Sequence, residues 1–146
     1  MGERTEGSTE IRATPQEVMA VIADFEAYPE WASGVRQAEV RKRDAKGRGT
    51  EVYFHVSSMG FEAKYTLAYS YKARDAGVSW TTREALAGVK DIQGEYALAS
   101  GESGTSVVYR LALDPSISLP GFLRRQAEKQ IINTALGGLK KRVEGG

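Results

Sequence analysis

FEAKYTLAYSY, residues 61–71, alternates strictly: Phe61, Ala63, Tyr65, Leu67, Tyr69 and Tyr71 fall on one side, and Glu62, Lys64, Thr66, Ala68 and Ser70 on the other. A period of two with one apolar side is the pattern of a half-buried strand in an antiparallel sheet. The same period continues on both flanks. Upstream, Val52, Phe54 and Val56 alternate with Tyr53, His55 and Ser57, and Ser58-Met59-Gly60 makes a tight turn into the quoted stretch. Before that, Val35 to Arg43 reads as a strand ending at the turn Asp44-Ala45-Lys46-Gly47. Downstream, Asp75-Ala76-Gly77 turns the chain into a short strand at Val78, Trp80 and Thr82. A loop around Ala85 to Gly88 leads to Ile92, Gly94, Tyr96 and Leu98. After the turn at Ser100 to Gly104, Val107, Tyr109, Leu111 and Leu113 form a last strand, closed by Asp114-Pro115. Six consecutive strands with short turns predict an antiparallel meander.

The ends of the chain frame this sheet. The first eight residues are polar and read as flexible. Thr9, Ile11 and Ala13 then alternate with Glu10 and Arg12 as a first strand. Thr14-Pro15-Gln16-Glu17 carries the signals of a helix start: a capping hydroxyl, proline at the first helical position, and a glutamate able to close a capping box. Val18, Val21, Ile22 and Phe25 give that helix an apolar face. Tyr28-Pro29 breaks it, and a second short helix runs from Pro29 to about Ser33. Leu119-Pro120-Gly121 opens a helix to about Val143, with Ile131, Ile132, Ala135, Leu136, Leu139 and Val143 on one broad face.

This order predicts an α+β fold of about seven strands in a curved antiparallel sheet, wrapped around the long C-terminal helix, with two short helices after the first strand. A sheet with one apolar face has to cover it, and only the last helix is long enough to do so. A bent sheet and a straight helix meet best at their ends, so the middle is where a ligand fits. The alternation turns Phe54, Phe61, Tyr65, Tyr69, Trp80, Tyr96 and Tyr109 inward. Trp31, Phe122, Ile131 and Ala135 complete the candidate ligand-binding set. The same aromatics at strand spacing also make an ordinary filled core. The small residues Ala63, Gly94, Ala127, Ala135, Gly137 and Gly138 favour a space, although the glycine pair also suits close packing or a kink.

Composition narrows the chemistry. The 146 residues suit one domain, and 20 Lys+Arg against 19 Asp+Glu leave a net charge of +1. There is no cysteine, which removes disulfides, thiolate nucleophiles and cysteine-ligated metals and suits a reducing cytoplasm. The charged N-terminus does not read as a signal peptide, and no stretch reaches the ~18 apolar residues of a membrane span. One histidine, His55, cannot build a multi-histidine metal site, and its alternation points it outward. No Ser-His-Asp arrangement, phosphate loop or dinucleotide fingerprint is present. Asp24, Glu26 and Glu30 cluster at the first helix break, either as a solvated helix end or as a gate or acids at a cavity mouth. Asp91, Gln93 and Glu95 alternate outward. Arg124, Arg125, Lys129, Lys140, Lys141 and Arg142 make the last helix basic. The last three suit its C-terminal dipole. Transient contact with an anionic membrane, with Leu119, Phe122 and Leu123 at the interface, is the alternative. No basic stripe with exposed aromatics points to nucleic acid.

TPQEVMAVIADFEAYPEW, residues 14–31, resembles the opening signature of the polyketide cyclase/dehydrase and coenzyme Q-binding group of the START-like (SRPBCC) superfamily. GEYAL at 94–98, GTSVVY at 104–109 and LPGFL at 119–123 are similar to its later landmarks. The resemblance spans nearly the whole chain, 1–146, as a single START-like domain. It implies the helix-grip fold and an apolar cavity for lipids, sterols, quinones or polyketides. Some members are cyclases or dehydratases and others are pure binders. The expectation is therefore binding or transport of a hydrophobic small molecule without a cofactor, in the cytoplasm. Tyr65, Tyr69, Tyr96 and Tyr109 would orient its polar atoms. The alternatives are a cyclase or dehydratase using the same cavity, for which no catalytic constellation can be matched, and an interaction module with a packed interior.

Overall fold

The structure, a computed structural model, describes residues 4–58 and 60–145. Seven strands form one antiparallel sheet: β1 (Thr5–Ile11), β2 (Val35–Arg43), β3 (Gly49–Ser58), β4 (Phe61–Tyr71), β5 (Gly77–Ala87), β6 (Val89–Ser100) and β7 (Thr105–Pro115). Their spatial order is β1-β7-β6-β5-β4-β3-β2. Strands β2 to β7 are thus the expected meander, and β1 returns to pair with β7. Between β1 and β2 come α1 (Pro15–Ile22), a 3-10 turn (Phe25–Ala27) and α2 (Tyr28–Trp31). The chain ends in α3 (Gly121–Gly145). The α+β helix-grip architecture read from the sequence is the observed one.

Local chemistry fixes the helical corner. The Thr14 hydroxyl accepts from the Glu17 N–H at 3.1 Å, and the Glu17 carboxylate accepts from the Thr14 N–H at 2.9 Å. This closes the capping box and, with Pro15 in the first turn, starts α1. Val18, Met19 and Ile22 are buried beneath it. The helix ends at Ile22, so Phe25 enters the core from the 3-10 turn rather than from a continuing helix. The Tyr28 hydroxyl then donates to the Ile22 carbonyl and pins α2 back onto the end of α1.

Two strands depart from the sequence pattern. β1 begins at Thr5 instead of Thr9, paired Thr5↔Leu111 through Ile11↔Thr105. Its inner positions hide the signal, because one of them is Gly7. A Cβ there would come within 2.5 Å of Ile132 Cγ2, so a helix side chain fills the place a strand side chain would take. β5 is likewise longer than its apolar part. Residues 83–87 are exposed on both faces, so they carry no alternation, yet they stay paired with β4 through Lys64↔Ala87. Only Gly88 separates β5 from β6. The tight turn expected at Ser58-Met59-Gly60 lies partly outside the described residues.

Curvature has visible devices. β5 pairs with β6 only through Gly77↔Ala97 to Trp80↔Gly94, after which the two strands part. The Thr82 hydroxyl takes over the ladder there, accepting from the Ile92 N–H at 2.7 Å and donating to Asp91 Oδ1 at 2.7 Å. Register shifts between β4 and β5, and between β2 and β3, add bends of the kind bulges impose.

α3 packs chiefly on β1 and β7, with α1 and α2 against it. Its buried stripe is Glu128, Ile132, Leu136 and Leu139. Glu128 is 1 % exposed, and its carboxylate accepts from the Thr5 hydroxyl and, at 2.7 Å, from the Leu113 N–H. A glutamate at the spacing of an apolar face thus joins α3 to the strand pair beneath it.

Candidate functional site

Cross-strand pairing assembles the concave face. Phe54 lies opposite Tyr65, Tyr69 opposite Trp80, and Tyr96 opposite Tyr109. Directly opposed aromatic pairs are favoured neighbours in antiparallel sheets. Trp80 is the hub: its ring lies 5.7 Å from Tyr69, 5.6 Å from Tyr96 and 5.6 Å from Tyr109. Tyr96 and Tyr109 are 4.7 Å apart, and Phe54 and Tyr65 5.7 Å. These tilted and edge-on arrangements suit the ring quadrupoles.

The helical corner adds three more rings. Phe25 reaches Tyr69 at 4.6 Å, Tyr28 reaches Phe54 at 5.9 Å, and Trp31 stacks near Tyr28 at 4.9 Å. The candidate set read from sequence included Trp31 but not Phe25 or Tyr28. Their spacing of three, Phe25-Tyr28-Trp31, was the available signal, since it puts all three on one side of a tight helical turn.

Phe54, Tyr69, Trp80, Tyr96 and Tyr109 are buried, while Tyr65, Trp31 and Ala135 are partly buried against the same core. Phe61, Phe122 and Ile131 are not in this interior; they are 41 %, 59 % and 41 % exposed. Phe61 has the inward phase but stands at the first residue of β4, and Phe122 sits in the first turn of α3. Ile131 is displaced because Glu128, four residues before Ile132, takes the buried phase. Apolarity alone gave Ile131 the wrong side.

The small residues also have a different use. A Cβ on Gly94 would lie 2.6 Å from Trp80 Cζ2, so Gly94 seats the indole. A Cβ on Gly138 would lie 2.9 Å from the Trp31 carbonyl oxygen. Both glycines admit tryptophans rather than leave a void. Gly137 meets nothing within 4 Å.

The interior is apolar in charge but not in hydrogen bonding. Burial pushes the phenols of Tyr28, Tyr65, Tyr69, Tyr96 and Tyr109 well above their ordinary range, with neighbouring phenols adding to the effect for all but Tyr65. Tyr71, at the margin, is pushed up to about 12 by burial, and its hydroxyl donates to the Gly49 carbonyl at 2.7 Å. All are therefore neutral donors near pH 7. Among the described residues the buried polar side chains are Thr66, Thr105 and Glu128.

The other ionisable candidates are engaged on the surface. His55 Nε2 lies 3.0 Å from Glu62 and holds that exposed carboxyl below its ordinary range. Glu26 pairs with Arg43, and Glu30 with Arg142. Burial acts against the Glu95 charge, yet Arg110 and Lys72 keep its pKa lowered. A separate surface cleft of about 490 Å³ opens between α1 and the end of α3, lined by Arg12, Ala13, Glu17, Val21, Arg142, Val143 and Glu144. Among the described residues no cluster of histidine and carboxylate side chains is placed to hold a metal ion. No described helix is long and apolar enough to cross a membrane.

Residues 3–144 match the family model for polyketide cyclase/dehydrase and lipid transport proteins. The chain belongs to this family. No curated protein matches it. Among solved structures, a START superfamily protein from Mycobacterium smegmatis is similar at 19 % identity and a TM-score of 0.89, with 99 % of each chain covered. The Zhui aromatase/cyclase from Streptomyces sp. R1128 has 16 % identity and a TM-score of 0.79, over 97 % of this chain and 93 % of that one. A STAR-related lipid transfer protein fragment from Xanthomonas axonopodis has 20 % identity and a TM-score of 0.73, covering 94 % and 84 %. Likeness at this identity establishes the helix grip. Membership of the polyketide cyclase/dehydrase and lipid transport family supports hydrophobic-ligand binding or a cyclase-type role and does not specify a ligand.

Proposed function

We propose that the protein binds a neutral hydrophobic small molecule, of the quinone, lipid or polyketide type, between the aromatic concave face and α3. One observation carries this reading. Tyr65, Tyr69, Tyr96 and Tyr109 share the concave face of the sheet, and among the described residues none of their hydroxyls has a protein hydrogen-bond partner. Among the described residues no fully enclosed side-chain polar atom lacks a partner. These hydroxyls therefore keep accessible surface, as groups do when they face a space rather than packed atoms. An unpaired phenol buried against apolar atoms would be costly, which favours an occupant with acceptors.

The chemistry follows from the lining. Apolar burial supplies affinity at about 25 cal/mol per Å², and protonated phenols offer hydrogen bonds to carbonyl or ether oxygens. With no buried cation on this face among the described residues, a carboxylate ligand finds no partner. The raised phenols act as donors and not as bases, so binding is favoured over proton-abstracting cyclase chemistry. A cytoplasmic setting fits the cysteine-free chain.

The test is native mass spectrometry of the purified protein, followed by Trp fluorescence titration with the released compound or with the neutral probe N-phenyl-1-naphthylamine. Stoichiometric binding that quenches Trp80 and is lost in Ala135→Trp is expected. A protein that carries nothing and takes up no neutral apolar probe refutes the reading.

A further inference from the structure

Every large apolar side chain that stands exposed among the described residues is one of six: Phe61, Leu86, Ile117, Phe122, Leu123 and Ile131. Five of them stand at one end of the molecule, and Ile131 lies farther along α3. Phe61 opens β4, and Leu86 lies next to Ala87, which pairs with Lys64 near that same start. The Ser116 N–H donates to the Gly88 carbonyl at 3.0 Å, so the exit of β7 is tied to the β5–β6 hairpin and Ile117 leaves the sheet beside it. Phe122 and Leu123 form the first turn of α3, and Ile131 follows two turns later. Single exposed apolar residues are ordinary, whereas a gathered rim of them marks a surface that meets something.

The cations of α3 are engaged unequally. At the far end of α3, Lys140 pairs with Glu144 at 3.0 Å and Arg142 with Glu30 at 2.9 Å, while Lys141 is in no ion pair among the described residues. At the apolar end, Arg124, Arg125 and Lys129 take part in no ion pair among the described residues. On the strand side of this end exposed Glu62, Glu84 and Asp114 stand among exposed Lys64 and Lys90, so the excess of positive charge lies on the α3 side.

We propose that this rim docks on an anionic lipid surface, with Ile117, Phe122 and Leu123 entering the interface and Arg124, Arg125 and Lys129 meeting the head groups. Apolar side chains on the β7–α3 connection and the first turn of α3, with a cationic fringe, suit a fluid, negatively charged surface, where insertion and electrostatic attraction add. The docking does not depend on which molecule the interior holds.

Co-sedimentation with phosphatidylcholine vesicles, with and without phosphatidylglycerol, tests it at low and raised salt. Binding to the anionic vesicles is expected, weaker on plain phosphatidylcholine and weaker as salt rises. A Phe122→Ser/Leu123→Ser variant should bind about tenfold less tightly, with an unchanged melting temperature because both side chains are exposed. Charge removal by Arg124→Gln/Arg125→Gln should flatten the salt dependence. Absence of binding to anionic vesicles at low salt overturns the proposal, as does equal binding by the serine variant. Lipid-free self-association that the serine variant abolishes would assign the rim to a second copy of the chain and also overturn it.

Discussion

Replacing Glu128 by alanine should be among the most damaging single substitutions that leave the aromatic face untouched. The carboxylate is 1 % exposed and accepts from the Leu113 N–H and the Thr5 hydroxyl, so it joins α3 to β7 and β1. Hydrogen bonds to a charged acceptor contribute about 1.5–3 kcal/mol each, and an orphaned buried N–H costs about 1–3 kcal/mol. Against this, removing a buried carboxylate recovers part of its desolvation penalty. The balance is a loss of about 3 kcal/mol, or on the order of 10 °C in melting temperature for a domain of this size. Glu128→Gln is the informative companion. Its amide oxygen can accept from Leu113 while its NH2 donates to the Thr5 oxygen, so both bonds survive and the loss should be about 1 kcal/mol. Urea unfolding of wild type, Glu128→Ala, Glu128→Gln, Thr5→Val and the Glu128→Ala/Thr5→Val double variant, read by circular dichroism, completes a cycle that isolates the Thr5 contact. The reasoning fails if alanine costs less than about 1 kcal/mol, or if glutamine costs as much as alanine.

Tyr109→Phe and Tyr96→Phe should each lower ligand affinity about fivefold in fluorescence titration, with little change in stability, because the lost hydroxyl has no protein partner. Gly137→Ala should raise stability by roughly 0.5–1 kcal/mol in thermal unfolding, from helix propensity. Gly138→Ala should lower it, because its Cβ meets the Trp31 backbone at 2.9 Å and backbone cannot step aside. Thr14→Ala should cost about 1 kcal/mol by removing the cap of α1. Stability against pH has a definite sign for the phenols. Their pKa values are raised in the folded state, so their contribution is complete below the unfolded value of about 10 and falls as pH rises above it. A pH-jump melt series should therefore show loss of stability beginning above about pH 10, and an increase there would refute the burial of these hydroxyls.

Elements whose inner positions are filled by their own side chains were legible in the sequence. β6, and β4 from Ala63 onward, alternate because their inner residues touch the core, and the capping box at Thr14 is a purely local arrangement of four residues. The aromatic face followed from the same alternation, since cross-strand pairing converts matching phases into ring contacts. What the sequence left open depended on atoms supplied from elsewhere. The start of β1 was silent because Ile132 fills the place above Gly7, and Gly94 read as space although Trp80 occupies it. Glu128 carried no local signal, because its burial depends on Leu113 and Thr5, residues separated from it by 15 and 123 positions. Periodicity, capping and turn residues are short-range properties and fix which elements form. Which residue fills a glycine's gap, which way α3 turns its stripe, and which charge is buried are long-range properties, decided only when the sheet has curled and the helix has docked.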